Sequence, residues 1–275
     1  MRTGVFYFPT DYGIDPAELA KALEDRGFDS LFLCEHTHIP TSRRSPFPGG
    51  GELPKRYVHT HDPFVALSFA AAATRTLLLG TGVCLVPQRD PIITAKTVAS
   101  LDRLSGGRFV FGIGGGWNVE EMENHGARYP TRFKLMRERV LAMKALWTEE
   151  AASFNGEFVN FDPVWCYPKP LRQPHPPILL GGETDHTLRR VVDSATGGSP
   201  GPAPVSTRQS PWGGCGPWRS GPGGTWRVSM SPSSAARPMR RSSSPIGRPA
   251  SPGCCWRSPT STATASCGGS TSWRR

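Results

Sequence analysis

The last third of the sequence lacks most of the residue types from which a folded domain builds its core and its charged surface. Residues 194–275 contain no Asp, Glu, Lys, Leu, Phe, Tyr, His or Asn. The formal net charge of +10 comes entirely from ten arginines in this segment, because residues 1–193 hold all 22 acidic residues and 22 basic ones. Chains rich in Ser, Pro, Gly and Arg bury too little apolar surface to fold. The sequence therefore predicts an ordered part, 1–193, and a disordered tail, 194–275.

Two interpretations of the tail lead to different functions. A basic tail could bind nucleic acid or an anionic membrane in a non-catalytic protein, but disordered tails rarely carry five Trp and four Cys, as this one does. The alternative is a shifted reading frame. If the third base of each codon is grouped with the first two bases of the next codon, the shifted frame permits the sequence Leu-Gly-Asp-Gly-Trp-Phe-Pro-Arg-Ala from residue 193 onward. At the very end of the chain, the same shift permits a strand followed by an amphipathic helix. We interpret the tail as the result of one base lost near the codon of Asp193, and we expect neither a nucleic-acid nor a membrane partner.

Residues 1–193, whose acidic and basic residues balance, also lack several features that would indicate a cellular location or a metal site. This part has no signal peptide and no apolar run of the roughly 18 residues that a membrane span needs. Its cysteines, Cys34, Cys84 and Cys166, lie far apart, and no HExxH or CxxC pattern is present. These absences predict a cytoplasmic, reduced protein without a metal site or a disulfide framework.

What residues 1–193 do contain is an alternation of apolar strands and amphipathic helices. Such βαβ units imply a parallel sheet, either doubly wound or closed into an eight-stranded barrel. The regrouped tail would add further strands, which favours the barrel. A hairpin turn is predicted at Asn155-Gly156. The predicted strands are 3–9, 30–35, 76–86, 108–116 and 176–183, and the predicted helices are 15–28, 62–74, 90–105 and 128–147.

Candidate site residues lie where predicted strands end, since ligands of parallel α/β folds bind at the carboxyl ends of the strands. Glu35, His36 and His38 follow the second strand. An imidazole can hold or release a proton near neutral pH, yet capping or packing roles fit the same spacing. His59 and His61 precede a helix and fit either a site or a surface loop.

Glycines mark the later strands. Gly80 and Gly82 inside the third strand indicate a bulge, a close approach by a ligand, or only a kink. The cluster at 112–116 matches a dinucleotide-binding fingerprint weakly, because G-I-G-G-G-W lacks the final small residue. Gly181 and Gly182 precede a predicted helix whose free N–H groups could bind phosphate, although a tight turn is equally consistent.

Taken in order, these stretches resemble the luciferase-like monooxygenase family, and most closely its deazaflavin-dependent (coenzyme F420) branch. The resemblance covers residues 1–193. It rests on "ALEDRGFDSLFLCEHTHIP", on "DPIITAKTVASLDRLSGGRFVFGIGGGW", on "RFKLMRERVLAMKALW" and on "YPKPLRQPHPPILLGGET".

The resemblance implies a (β/α)8 TIM barrel of the bacterial luciferase-like type, incomplete here because residues after about 193 are out of frame. It implies an enzyme that transfers a hydride between coenzyme F420 and a small organic substrate, and a homodimer if the barrel is complete. The alternatives are an FMN-dependent monooxygenase that uses reduced flavin and O2, and an inactive truncated pseudogene product.

The resemblance also implies site residues. His36 and Glu35 would be catalytic and line the reacting face of the cofactor ring, and Gly82-Val83 would be a cis peptide bond in a bulge pressed against the ring's back. The remaining implied contacts of the cofactor are Cys84 beside the bulge, Gly114, Gly116 and Trp117 at the pocket border, and Gly181, Gly182 and Glu183 at the phosphate.

Overall fold

A computed structural model describes residues 2–181 and the backbone of residues 225–228. Strands and helices alternate as the sequence predicts. The strands are β1 (Arg2–Tyr7), β2 (Ser30–Leu33), β3 (Leu78–Thr81), β4 (Cys84–Leu85), β5 (Phe109–Gly114), β6 (Ala152–Asn155), β7 (Asn160–Val164), β8 (Ile178–Leu180) and β9 (Thr225–Val228). The helices are α1 (Pro16–Asp25), α2 (Pro63–Ala73), α3 (Pro91–Leu104), α4 (Val119–Asn124) and α5 (Arg132–Thr148).

The sheet is parallel in the order β1, β2, β3, β5, β8, with β4 continuing the line of β3 beside β5. The predicted single strand over 76–86 is wrong in one respect, because it is broken between β3 and β4. Gly80 pairs with Val110 and Cys84 pairs with Ile113. Three residues of the broken strand therefore stand opposite two of β5, which defines a β-bulge.

One strand of the described structure comes from the predicted tail. β9 pairs antiparallel with β1, from Arg2 opposite Val228 to Val5 opposite Thr225. β9 therefore covers the outer edge of the first strand at these positions. A complete barrel would place a parallel strand there, and the other predictions for residues 194–275 lie outside the described residues.

Three of the helices start at the same dipeptide, Asp-Pro. Asp15, Asp62 and Asp90 are the N-caps of α1, α2 and α3, and each carboxylate accepts backbone N–H bonds from the first turn. Proline fits at the following position because its missing N–H would have no partner there. Each helix is thus fixed at the end that faces the carboxyl edge of the sheet, where the candidate site residues lie.

The core lies between the sheet and the helices. Phe109, Phe111 and Trp147 are among its largest fully buried side chains, and the indole N–H of Trp147 donates to the carbonyl of Ala95 at 3.0 Å. The predicted hairpin is present as β6 and β7, joined by residues 156–159. No helix within residues 2–181 has the length and hydropathy of a membrane span.

Candidate functional site

The bulge between β3 and β4 brings one side chain over the ends of two neighbouring strands. The peptide bond Gly82-Val83 is cis, as the resemblance implies. A Cβ at Gly114 would lie 2.4 Å from Val83 Cγ2, and one at Gly181 would lie 3.0 Å from Val83 Cγ1. Glycine at these two strand ends therefore makes room for the methyl groups of Val83, which form a small apolar platform.

The residues on either side of Val83 are buried. A Cβ at Gly82 would lie 2.6 Å from the ring of Phe6. Cys84 is fully buried, and burial raises the pKa of its thiol well above the ordinary value. Gly82 and Cys84 thus anchor the bulge from inside the fold, and Val83 is the partly exposed residue of the three.

Glu35 ties the end of β2 to the segment after the bulge. Its Oε2 accepts the N–H of Leu85 at 2.5 Å and its Oε1 accepts Nε–H of Arg89 at 2.5 Å. Arg89 also contacts Asp62, the N-cap of α2. Burial lowers the pKa of Arg89, but the charge of Glu35, together with the hydrogen bonds to Glu35 and Asp62 and the neighbouring Cys84, outweighs burial and raises this pKa overall. Both carboxylate oxygens of Glu35 are therefore engaged in holding the bulge against the sheet.

His36 lies next to Glu35 in the chain and makes a different contact. Its Nδ1–H donates to Oε2 of Glu121 at 2.8 Å, and the two side chains are 6% and 0% exposed. Oε1 of Glu121 accepts the N–H of Thr37 at 3.0 Å. Because one carboxylate holds both the ring and the neighbouring backbone, it fixes the orientation and the tautomer of the imidazole.

Two aromatic side chains pack against His36, and a third packs against both of them. The ring centroid of His36 lies 5.3 Å from that of Tyr57 and 5.7 Å from that of Trp117. Phe47 contacts both, at 5.2 Å from Tyr57 and 6.2 Å from Trp117. The imidazole is thus enclosed on the side of the loop between β2 and α2, with the ring of Trp117 packed edge-on against it.

The other predicted histidines lie outside this enclosure. His38 and His125 both contact the hydroxyl of Thr37, at 2.9 and 2.7 Å, and burial followed by the charge of His38 lowers the pKa of His125. His59 pairs with Asp11 at the surface. The structure therefore brings together Glu35, His36 and the bulge, and it leaves His59 in a separate surface pair.

One cavity adjoins His36, and a second lies in the loop that follows β2. The first, of about 260 Å3, is lined by Glu35, His36, Thr37, Thr60, Asp62 and Pro63. The second, of about 630 Å3, lies in the loop between β2 and α2, and Phe47 forms part of its wall. Within residues 2–181 no group of three or more His, Cys, Asp or Glu side chains is arranged to hold a metal ion.

Sequence reasoning missed Glu121 and Tyr57. The signal for Glu121 is a capping pattern, Asn118 followed three residues later by a glutamate, and the Asn118 side chain does accept the N–H of Glu121. The implied phosphate contacts Gly182 and Glu183 lie outside the described residues, and Gly181 ends the described part.

Residues 14–208 match the family model described as luciferase-like monooxygenase. The chain belongs to the luciferase-like monooxygenase family. An uncharacterized protein of Mycobacterium tuberculosis is 44% identical over 201 residues, which cover 72% of this chain and 71% of that protein. The crystal structure of monooxygenase RslO1 from Streptomyces bottropensis superposes with a TM-score of 0.59 at 26% identity, over 70% of this chain and 56% of that one. The predicted luciferase-like barrel fold is thus confirmed, and residues 2–181 supply five of its parallel strand positions.

Two relatives with named activities differ in their cofactor. The F420-dependent glucose-6-phosphate dehydrogenase of Kineococcus radiotolerans is 33% identical over 172 residues, 60% of this chain and 46% of that protein. The FMNH2-dependent dimethylsulfone monooxygenase of Pseudomonas putida is 32% identical over 123 residues, 44% of this chain and 34% of that protein. This luciferase-like chain spans less than half the length of either relative. A flavin or deazaflavin cofactor is therefore the shared property of these relatives.

Proposed function

We propose that this luciferase-like chain is an oxidoreductase that transfers a hydride between coenzyme F420 and a small organic substrate. The observation that carries the proposal is His36, held by the buried Glu121 and enclosed by aromatic rings beside the bulge. The family includes F420-dependent members, and the sequence resembles that branch most closely. When bound, the deazaflavin supplies the carbon that accepts or gives the hydride. A small-molecule substrate and a homodimer remain part of the proposal.

The residues around the bulge fit a flat ring with polar edges. Val83 offers an apolar surface beside the glycines at 114 and 181. Two buried polar groups nearby have no partner within the described residues: the Thr60 hydroxyl, which lines the His36 cavity, and the carboxamide of Gln88, close to Gly116. Buried polar groups are rarely left unpaired, so a ligand with hydrogen-bonding edges would supply what these groups lack.

Each side chain then has a distinct task. Nδ1 of His36 is held by Glu121, which leaves Nε2 as the ring atom that can give a proton to a substrate oxygen or remove one. Glu35 keeps the bulge in place through Leu85 and Arg89. Trp117 and Tyr57 exclude water from the imidazole. In this assignment Glu35 is a positioning residue, and His36 alone moves the proton.

Cofactor binding provides the first test. The full chain is titrated with oxidized F420 and with FMN, and the dissociation constants are measured by the change in cofactor fluorescence. We expect F420 to bind at least tenfold more tightly than FMN, and Trp117→Ala to weaken F420 binding at least tenfold. Trp165→Ala is the matched control, because Trp165 is 79% exposed. Tighter binding of FMN, or binding of neither cofactor, would contradict the proposal.

The role of His36 is tested by separating binding from turnover. His36→Asn should leave the F420 dissociation constant within about threefold and lower the turnover of an accepted alcohol or sugar substrate about 100-fold or more, the usual contribution of general acid–base catalysis. His59→Asn is the control, since His59 contacts Asp11 at the surface. An unchanged turnover in the His36 variant would remove His36 from the mechanism.

The second candidate function is that of an FMN-dependent monooxygenase, which the FMNH2-dependent relative favours. It predicts that reduced FMN binds more tightly than F420 and that product formation requires O2. The same titration therefore decides between the two candidates.

A further inference from the structure

The loop between β2 and α2 lines the larger of the two cavities, which is open to solvent, and the lining is mostly apolar. The volume, about 630 Å3, lies within the range of small-molecule sites. Most of the lining is apolar, and Arg43 and Glu52 are the charged residues that line it; the apolar wall includes Ile39, Pro40, Phe47, Leu53 and Val58. An apolar cavity with few charged groups suits a ligand with an apolar body and one polar end.

Arg43 is held in an unusual way for a residue that lines a cavity. Among the described residues, it is the non-glycine residue with a positive φ, 50°, a conformation that costs about 1–2 kcal/mol for a side chain with a Cβ. Its Nη1 is buried and has no hydrogen-bond partner within residues 2–181. A buried donor without an acceptor is unfavourable, and strained residues cluster where a ligand is bound.

The neighbouring Arg44 shows the contrast. Its Nε lies 3.2 Å from Oε1 of Glu120, and its side chain is 71% exposed. Arg44 therefore has a carboxylate partner within the protein and sits in solvent, whereas Arg43 lines the cavity and its buried Nη1 has no partner in the described part of the chain. Glu52 lines the same cavity but does not satisfy this donor.

The cavity shares an aromatic wall with the site around His36. Phe47, which lines the cavity, contacts Tyr57 and Trp117, and both of these contact the imidazole ring. Phe47 therefore connects the lining of this cavity to the aromatic side chains that contact His36.

We propose that this cavity binds the apolar body of the substrate and that Arg43 pairs with a carboxylate at the end of the substrate remote from His36. The inference rests on the proposed function, because it assigns the substrate class of the same site. A carboxylate matches the planar fork of a guanidinium. A phosphate with two charges would be repelled more strongly by Glu52.

The test uses octanoate and 1-octanol as probes of equal chain length, titrated into the full chain without cofactor by isothermal titration calorimetry. We expect octanoate to bind at least tenfold more tightly than octanol. Arg43→Gln should abolish this preference and Arg43→Lys should keep part of it. Arg44→Gln is the matched control and should leave the preference unchanged, whereas Glu52→Gln should strengthen octanoate binding severalfold.

Three results would overturn the inference: equal affinity for the two probes, a preference that survives Arg43→Gln, or tighter binding of octyl phosphate than of octanoate. The thermal unfolding midpoint of each variant is measured in parallel, and Arg43→Lys distinguishes lost charge from lost folding. Because these titrations contain no cofactor, their failure is distinguishable from a failure of the proposed function. An Arg43-dependent preference in a chain that binds no F420 would leave the carboxylate site standing and remove only the F420 chemistry.

Discussion

The contact between Val83 and Gly114 allows a quantitative test of the bulge. In Gly114→Ala the new Cβ would lie 2.4 Å from Val83 Cγ2, over 1 Å inside an ordinary carbon–carbon contact of about 3.5–4.0 Å. Gly114 pairs with Leu85 on β4, and the preceding Ile113 pairs with Leu180 on β8. Because β5 is held on both sides, the backbone cannot easily retreat. We expect a loss of about 1–3 kcal/mol in the free energy of unfolding, as for other overpacked cores.

The matched second change is Val83→Ala, which removes the methyl group that the new Cβ at position 114 would meet. In the double variant the nearest side-chain contact would be the 3.3 Å approach to the Cβ at position 83, which a shift of a few tenths of an ångström relieves. We expect a favourable coupling of about 1 kcal/mol or more between the two changes, measured by urea unfolding of all four proteins with far-ultraviolet circular dichroism. Additive losses, within about 0.5 kcal/mol, would refute the proposed packing of Val83 over Gly114.

Three further predictions concern other parts of the chain. Glu35→Gln should cost on the order of 3 kcal/mol because it removes the buried charge opposite Arg89 and leaves only the partly exposed Asp62 as a carboxylate partner. Asp62→Asn, at a partner whose side chain is 41% exposed, should cost less than about 1 kcal/mol; urea unfolding measures both. Burial raises the pKa of Glu24, but hydrogen bonds from the backbone of residues 75–77 and from the Thr76 hydroxyl lower it to about 2 overall. The ionised Glu24 therefore stabilises the folded state fully above about pH 4.5, and this stabilisation is lost as the pH falls toward 2. Unfolding midpoints should therefore fall less over this range in Glu24→Gln than in the wild type, and Glu18→Gln, at an exposed position of the same helix, should behave like the wild type. Genomic DNA sequenced across the codons of residues 185–200 should show one additional base near the codon of Asp193; an unchanged reading frame would end that interpretation.

Much of the fold is readable from the sequence because its signals are local. An Asp-Pro pair supplies both a capping carboxylate and a fixed φ, so the starts of α1, α2 and α3 are predictable to the residue. Continuous apolar runs predict the parallel strands. The glycine cluster after residue 111 is also visible in the sequence, but the sequence does not show why glycine is needed there. In the fold, a Cβ at Gly112 would lie 2.0 Å from the carbonyl oxygen of Thr81, a contact that follows from the pairing of β3 with β5.

The parts that the sequence does not predict depend on contacts between distant residues. The helix that carries Glu121 has six residues, too few for an amphipathic repeat to show, and its partner His36 is 85 positions away. Tyr57 lies in a short 3-10 turn inside a loop rich in Pro and Gly, where no periodicity marks it. The break in the third strand is implied by family resemblance, since two glycines alone also fit an ordinary kink.

Glu35 and His36 have different roles because they occupy successive positions at the end of one strand. Successive residues of an extended chain point to opposite sides, and here Glu35 turns toward β4 and Arg89 while His36 turns toward α4 and the aromatic side chains. The carboxylate beside the imidazole in the sequence is therefore not the one that holds it in space. The glutamate that holds the imidazole comes from the helix that follows β5, so the candidate proton-transfer group is assembled from two strand ends and depends on the register of their strands. A change that shifts β5 against β2, such as overpacking at Gly114, should consequently disturb His36 although it touches neither His36 nor Glu121.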